Sequence, residues 1–324
     1  SRSKMTALYF TGVRLCELAL TVNGTHNRAM SIGNGPRADR DGERSRRGDK
    51  RGRRHGESGS PRGEPPRNLR LKGPEGFERY FAELFAGRWD RLREALRGEP
   101  GYTALESGLL KAYHLDRASL VAARALPLQG ARWLLDLCAA PGGKSLDLAR
   151  RMEAEAMLAA NDRSRGRLGR LRRVLEEHLP AELLARVTTT GHDAALWGRK
   201  QPESADAVLC DVPCSSERHV LASPTHLDEW SDSRITRLSK QSVGILASAF
   251  DALRPGGVLV YSTCALSPTE NDAVVARVLK RRVPAALLDR PTRAELEDIC
   301  NDLIPVESLE PTTNGYQILP DRAG

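Results

Sequence analysis

From residue 131 onward, short apolar runs alternate with helical segments, and this alternation narrows the possible folds more than any other feature. The runs are WLLDLC (133–138), AMLAAN (156–161), RVTTTG (186–191), DAVLC (206–210) and GVLVYST (257–263). Between them lie KSLDLARRM, the Arg-rich RSRGRLGRLRRVLEEHL and ITRLSKQSVGILASAFDAL. In the last of these, Leu238, Ile245, Leu246, Ala249, Phe250 and Leu253 share one side before RPGG ends the helix. Apolar runs without alternation are strands buried on both faces, and strands joined through helices form right-handed crossovers. The expected fold is α/β, a mostly parallel, doubly wound Rossmann-like sheet.

In that fold a ligand sits beyond the carboxyl ends of the strands. The segment LLDLCAAPGGKSLDLA is a buried strand, a Pro-Gly-Gly turn and a helix. Gly142 and Gly143 allow backbone N–H groups to approach a ligand, and the helix start after them favours an anion. The pattern is not GxGxxG, so a dinucleotide pyrophosphate is disfavoured. Asp162, at the end of the second run, is placed to accept from ribose hydroxyls. Asp193, at the end of the third, is placed to accept from an adenine amino group. A nucleoside with a small charged tail fits this set, and S-adenosyl-L-methionine is such a molecule. A sheet turn without a ligand is the plainer reading of the same residues.

Cys214 in DVPCSSERH and Cys264 in YSTCALSPTEN each follow a strand beside the first one. A thiol and a carboxylate near a methyl donor suit methylation of a pyrimidine at carbon 5. That carbon is a poor nucleophile until a thiolate adds at carbon 6. A carboxyl at the N3 edge would steady the adduct by hydrogen bonding and proton transfer, and Asp211 and Pro213 stand beside Cys214. The disulfide reading would need an oxidising compartment. The six cysteines include no CxxC pair, and the histidines are scattered, so no metal site is expected. Cys16, Cys210 and Cys300 read as small buried hydrophobes.

The formal net charge is +8, and residues 36–70 hold twelve Lys/Arg against six Asp/Glu. Only Ala38 and Leu69 are apolar in that stretch. It reads as a disordered basic arm over 36–73, able to bind nucleic-acid phosphates without sequence preference, or as an inert extension. Residues 1–35 carry no assignable motif, and no run is long enough for a membrane span. From 74 to 125 the chain reads as a helical subdomain. Phe77, Tyr80, Phe81, Leu84, Phe85, Trp89 and Leu92 recur at helical spacing. That face is a core, or less commonly a platform for RNA bases.

LDLCAAPGGKS, NDRSRGRLGRL, CDVPCSSERH and GGVLVYSTCALSPTEND occur together in one order. On these segments the chain resembles the Sun/Fmu family of S-adenosylmethionine-dependent RNA (cytosine-5)-methyltransferases, from about residue 74 to 320. YHLDRAS (113–119) resembles the segment before that family's catalytic domain, and DVPCSSERH stands where a glycine-containing form is commoner. The wording looks most like the mitochondrial ribosomal-RNA branch and its bacterial relatives.

The resemblance implies a class I methyltransferase fold with a small helical N-terminal subdomain, the donor-binding domain spanning 126–324. It implies Cys264 as the nucleophile, Cys214 as the group promoting product release, and Asp211 with Lys144 at the cytosine edge, Pro213 shaping the base pocket. It implies a donor site of Cys138, Ala139, Ala140, Pro141, Gly142, Gly143, Lys144, Asp162, Arg167, Asp193 and Asp211. Glu270 and Asn271 stand close to Cys264, but SPTE is also a capping box, and capping is the expected role. Arg163, Arg165, Arg170, Arg172 and Arg173 form a solvated helix face or touch RNA phosphates.

The family's closing antiparallel strand past ILP is not apparent, nor is an appended RNA-binding module. The resemblance implies RNA, ribosomal before transfer RNA, as the partner, and without such a module the N-terminal helices, the basic arm or a protein partner would have to supply the grip. The expected compartment is the bacterial cytoplasm, with the mitochondrial matrix as the alternative. Two rivals remain at this point. A DNA cytosine methyltransferase would need a Glu-Asn-Val tripeptide that is absent. The other is a catalytically idle RNA-binding or ribosome-assembly protein on the same fold.

Overall fold

The computed structural model describes residues 14–15, 70–282 and 291–323. The basic arm up to residue 69, and Cys16, lie outside the described residues. Two helices open the ordered part, α1 (Gly73–Phe85) and α2 (Trp89–Arg97), and their aromatic stripe turns inward. Phe77, Phe81, Trp89 and Leu92 are buried against Trp230, Ile235, Leu266 and Leu319. Phe81 stacks on Trp89 with ring centres 5.1 Å apart, and Phe77 meets Trp230 edge-on at 5.4 Å. The stripe is core and offers no platform to RNA bases.

The segment expected to be helical up to residue 125 contains an antiparallel hairpin, β1 (Tyr102–Leu105) with β2 (Tyr113–Asp116). It leads into α3 (Arg117–Arg124), which Asp116 caps by accepting from Ser119 N at 2.9 Å.

The remaining chain builds the sheet and its cover. β3 (Trp133–Asp136) runs through the Pro-Gly-Gly turn into α4 (Gly143–Arg151). β4 (Met157–Asn161), α5 (Arg165–His178) and β5 (Val187–Thr190) follow. Then come β6 (Ala205–Asp211), the short α6 (Glu217–Leu221), the long α7 (Asp232–Ala252), β7 (Leu253–Ser262) and α8 (Asp272–Arg282). The sheet order is β5-β4-β3-β6-β7, every pairing parallel. Leu158, Ala160, Ala207, Leu209 and Val260 point to one packed face. Leu135, Val208, Cys210, Leu259 and Tyr261 point to the other. Burial on both faces explains the unbroken apolar runs.

Among the described residues this sheet has no antiparallel strand. After α9 (Arg293–Cys300), β8 (Leu309–Pro311) and β9 (Tyr316–Ile318) pair with each other, and Arg14–Leu15 pairs with Tyr316 and Gln317. Ion pairs tie this C-terminal segment to the helical subdomain. Arg88 meets Glu310 at 2.6 Å and Asp321 at 2.7 Å, and Arg91 meets Asp321 at 2.8 Å.

Strand order reverses at β3, which opens a crevice beyond its carboxyl end and those of β4 and β6. No described helix is long and apolar enough to cross a membrane.

Candidate active site

Three adjoining compartments line that crevice. The first is bounded by Cys138, Asp162, Arg163, Arg167, Asp193, Pro213 and Gln241. Asp162 is buried beneath Arg167, whose guanidinium lies 3.4 Å from it and also donates to the Ala140 carbonyl. Asp193 caps the short turn after β5 and pairs with Arg163 at 3.2 Å. Asn161 between these strands is structural. Its amide donates to the carbonyls of Leu137 and His192 at 3.0 and 3.1 Å.

The second compartment is walled by Cys138 to Pro141, Gly143, Lys144 and Asp136, and closed by Tyr113 to Asp116 of the hairpin. Gly142 has φ +124°, a region that L side chains rarely adopt. Gly143 is required for a different reason than ligand approach alone, because a Cβ there would stand 2.7 Å from Tyr113 Cε1. Asp136 Oδ2 accepts from Ser145 at 2.6 Å, while its buried Oδ1 has no partner. Burial raises the Asp136 carboxyl to about 7, with the Ser145 hydrogen bond opposing. A buried acceptor without a donor, beside a glycine turn, fits a ligand that carries an ammonium group.

The third compartment, about 420 Å³, is lined by Asp116, Ser119, Lys144, Asp211, Pro213, Cys214, Ser216 and Cys264. Lys144 Nζ lies 2.9 Å from Asp211 Oδ2 and donates to Ser119 Oγ at 3.1 Å. Burial pulls the Lys144 pKa down, but Asp211, Asp116 and Asp136 together outweigh it and raise it. Lys144 is a cation in this site.

Cys214 and Cys264 come together because β6 and β7 are neighbours and both residues lie just past their strand ends. Their Sγ atoms are 2.9 Å apart, both thiols are free, and Cys264 N donates to Cys214 Sγ at 3.2 Å. The two thiols are not equivalent. The hydrogen bond from Cys214 lowers the Cys264 pKa against burial, helped by Ser216. The same hydrogen bond, and then burial, raise Cys214 well above the ordinary thiol value. Cys264, the exposed one, is therefore the more acidic thiol of the pair. Ser216 has φ +56°, the left-handed region that favours glycine. Cys138 is half-buried, and burial pushes its thiol up, so it is no nucleophile.

The capping expectation for Glu270 and Asn271 needs correcting. Ser267 does cap the short turn, accepting from Thr269 N at 3.3 Å. Glu270 instead turns inward, fully buried, and accepts from Ser215 N at 3.0 Å. Asn271 is buried too, accepting from Thr263 Oγ1 at 2.8 Å and donating to the Ala265 carbonyl at 2.9 Å. Both shape the loop that carries Cys264. Arg163, just before α5, and Arg165, Arg170, Arg172 and Arg173 on it are exposed, and Arg172 bonds Thr189 Oγ1 at 3.0 Å. Sequence reasoning did not single out Asp116, Ser119, Asp136, Glu217 or Gln241. The only signal among them was the helix-start pattern at Asp116. Among the described residues no group of three or more His, Cys, Asp and Glu could hold a metal ion.

Comparison with known proteins places these features in a wider set. The family model described as 16S rRNA methyltransferase RsmB/F matches residues 123–314. The 5-cytosine rRNA methyltransferase NSUN4 of Xenopus laevis is 42% identical over 182 residues, covering 53% of this chain and 43% of that protein. Ribosomal RNA small subunit methyltransferase F of Aeromonas hydrophila is 40% identical over 183 residues, covering 56% and 36%. The mitochondrial tRNA (cytosine(34)-C(5))-methyltransferase of Danio rerio is 42% identical over 176 residues, covering 53% and 47%. The chain thus spans less than half the length of these relatives. The crystal structure of PH0851 shares the fold, with a TM-score of 0.60 at 20% identity over 78% of this chain and 63% of that one.

Proposed function

Since the chain belongs to the RsmB/F family of 16S rRNA methyltransferases, we propose that it transfers a methyl group from S-adenosylmethionine to carbon 5 of a cytosine in RNA. Ribosomal RNA is the preferred substrate and transfer RNA the second. The observation that carries this reading is the unequal thiol pair, Cys264 and Cys214, 2.9 Å apart across from the Lys144–Asp211 pair.

The first two compartments fit the donor. Asp162 and Asp193 would accept from its ribose and adenine, Arg167 would meet its carboxylate, and Asp136 and the backbone from Cys138 to Lys144 would cradle its tail. When bound, S-adenosylmethionine supplies an electrophilic methyl sulfonium at the border of the third compartment. There the flipped cytosine would lie against Pro213. The Cys264 thiolate forms a bond to carbon 6, and the electron pair displaced through the ring is balanced by a proton reaching N3 through Asp211. Carbon 5, now enamine-like, takes the methyl group as the methyl–sulfur bond breaks and its electron pair stays on the donor sulfur, leaving a neutral thioether. A proton then leaves carbon 5 to water, with Cys214 placed to assist. The C6–S bond breaks, its electron pair returns to Cys264, and the N3 proton goes back to Asp211. Exposed arginines of α5, at the same rim, would contact RNA phosphates. Free thiols suit a reducing compartment, the bacterial cytoplasm or the mitochondrial matrix.

The test is adduct trapping. Cys214→Ala protein is incubated with total cellular RNA and S-adenosylmethionine, and a denaturation-resistant RNA–protein band is sought. A band that vanishes when Cys264 is also replaced supports the assignment, and sequencing the trapped RNA names the substrate. No band, with donor binding intact by calorimetry, refutes the roles given to the thiols. No donor binding would favour an idle RNA-binding scaffold.

A further inference from the structure

The two loops that carry Cys214 and Cys264 are joined by a buried network with no part in the steps above. Glu217, at the start of α6, and Glu270, beyond Cys264, are both fully buried. Each carboxyl reaches across to the other loop. Glu217 Oε2 accepts from Leu266 N at 2.8 Å, and Glu270 Oε1 accepts from Ser215 N at 3.0 Å. Their remaining oxygens meet at one hydroxyl. Ser215 Oγ lies 2.5 Å from Glu270 Oε2 and also hydrogen-bonds Glu217 Oε1.

One hydroxyl has one proton to give, yet two carboxyl oxygens press on it. If both carboxyls were ionised, one contact would set two lone pairs against each other in a dry site. The arrangement closes only when one carboxyl is protonated. Glu270 Oε2–H then donates to Ser215 Oγ, and Ser215 Oγ–H donates to Glu217 Oε1. Every donor and acceptor in the chain is then used.

We propose that Glu217 and Glu270 hold a single proton between them through Ser215, and that this pair clasps the two cysteine loops together as positioning residues for the thiol centre. The proposal rests on the reading above only in treating those thiols as the reaction centre. Burial raises both carboxyls above their ordinary range, which favours keeping one proton on the pair. The groups facing the pair are Tyr80 of α1, Arg234 of α7, Tyr261 of β7 and the two cysteines. Tyr80 Oη bonds Ser267 Oγ at 2.8 Å and Tyr261 Oη donates to the Glu270 carbonyl at 2.8 Å, so both brace the same loop.

A shared proton makes an unusual mutational pattern. In E270Q the amide mimics the protonated carboxyl, donating to Ser215 Oγ and accepting from Ser215 N. In E217Q the hydroxyl reverses, and Glu270 becomes the ionised partner. Each single variant closes the network, whereas the double variant leaves the Ser215 proton without an acceptor. The readout is the rate at which iodoacetamide alkylates Cys264 in the full chain across pH, which needs no RNA.

Each single variant is expected within about threefold of the wild type, and the double variant with its alkylation profile moved up by about one pH unit, a tenfold loss of thiolate below it. Infrared difference spectra of the wild type minus E270Q, in which the Asp136 contribution cancels, should also show the carbonyl stretch of a protonated acid. Because the Glu270 folded pKa is raised, its contribution to stability is present at low pH and lost as pH rises through that value. E270Q should lack this fall. Single variants as impaired as the double, additive losses, or no protonated-acid band in the wild-type minus E270Q difference would each overturn the proposal. An intact pattern in protein that methylates no RNA would keep the clasp and sink the proposed activity. Methylation with additive variants would do the reverse.

Discussion

The Lys144–Asp211 pair sets up a quantitative test of how far this site is shielded from water. The two side chains are 16% and 28% exposed, and their charged atoms are 2.9 Å apart. At that distance and an effective dielectric near 20 the attraction is about 6 kcal/mol before desolvation. Desolvating the two ions offsets much of it, by several kcal/mol per fully buried ion and less for partly exposed ones. The expected coupling between Lys144 and Asp211 is therefore about 2 kcal/mol, near the low end seen for close charge pairs. Lys144→Met alone should be the costliest change, about 3 kcal/mol, because it leaves Asp211 close to Asp136 and Asp116 without their cation. Asp211→Asn should cost about 1 kcal/mol, since Lys144 keeps the other two acids. The double variant should then be milder than the sum by the coupling. Urea unfolding of the wild type and three variants, repeated in high salt, measures this without ligand or RNA. A coupling below about 0.5 kcal/mol, or one abolished by salt, would place the pair in the class of exposed ion pairs and refute the shielded-site argument.

Other predictions draw on single contacts. Gly143→Ala should lower stability by about 1–3 kcal/mol by pushing Tyr113 and the hairpin outward, and weaken donor binding by calorimetry. Ser216→Gly should stabilise by about 1 kcal/mol in thermal melts by relieving the left-handed backbone, yet slow Cys264 alkylation at neutral pH by removing the hydroxyl that favours its thiolate. The Asp136 folded pKa of about 7 lies above its ordinary value of 3.8. Its contribution to stability is therefore lost as pH rises from about 4 to 7, and Asp136→Asn should flatten that part of the Tm–pH curve. Asp321 and Glu310 run the other way. Although burial opposes it, Arg88 and its neighbours hold both carboxyls below their ordinary values of 3.8 and 4.5. The stability they add is lost as pH falls through their folded values, so Arg88→Ala should reduce the acid sensitivity of the melt.

The sheet was legible because its strands are buried on both faces, so their apolar runs stand out wherever they fall. β7 is longer than its run suggested. It begins at Leu253 and includes Arg254-Pro255-Gly256-Gly257, because Ala205 pairs with Leu253 before a register shift. Pro and Gly read as a break, and an edge strand pairing across a bulge overrode them. The hairpin at 102–116 was not legible. Its two strands have four residues each and little burial of their own, and what fixes them is the contact of Tyr113 and Leu115 with Gly143.

The site divides along the same line. Cys214, Cys264, Asp211 and the Pro-Gly-Gly turn could be named because each sits at or just past a strand end, where the topology of a parallel sheet gathers side chains. Glu217 and Glu270 could not, because their residue types also satisfy a local rule. An acid at a helix start is favourable anywhere, and Ser-Pro-Thr-Glu is a capping box wherever it occurs. What decides between the local partner and the distant one is whether the loop is buried. A capping carboxylate stays in water and gains a modest amount from one backbone N–H. Glu270 is instead fully buried, where an unpaired carboxyl would be costly, and Ser215, 55 positions away, is the partner within reach. The aromatic stripe of the N-terminal helices and the acids beneath it are therefore one feature. The stripe packs on Val220 and Leu266 of the cysteine loops, and away from water the acids take Ser215 and Leu266 of the facing loop as partners.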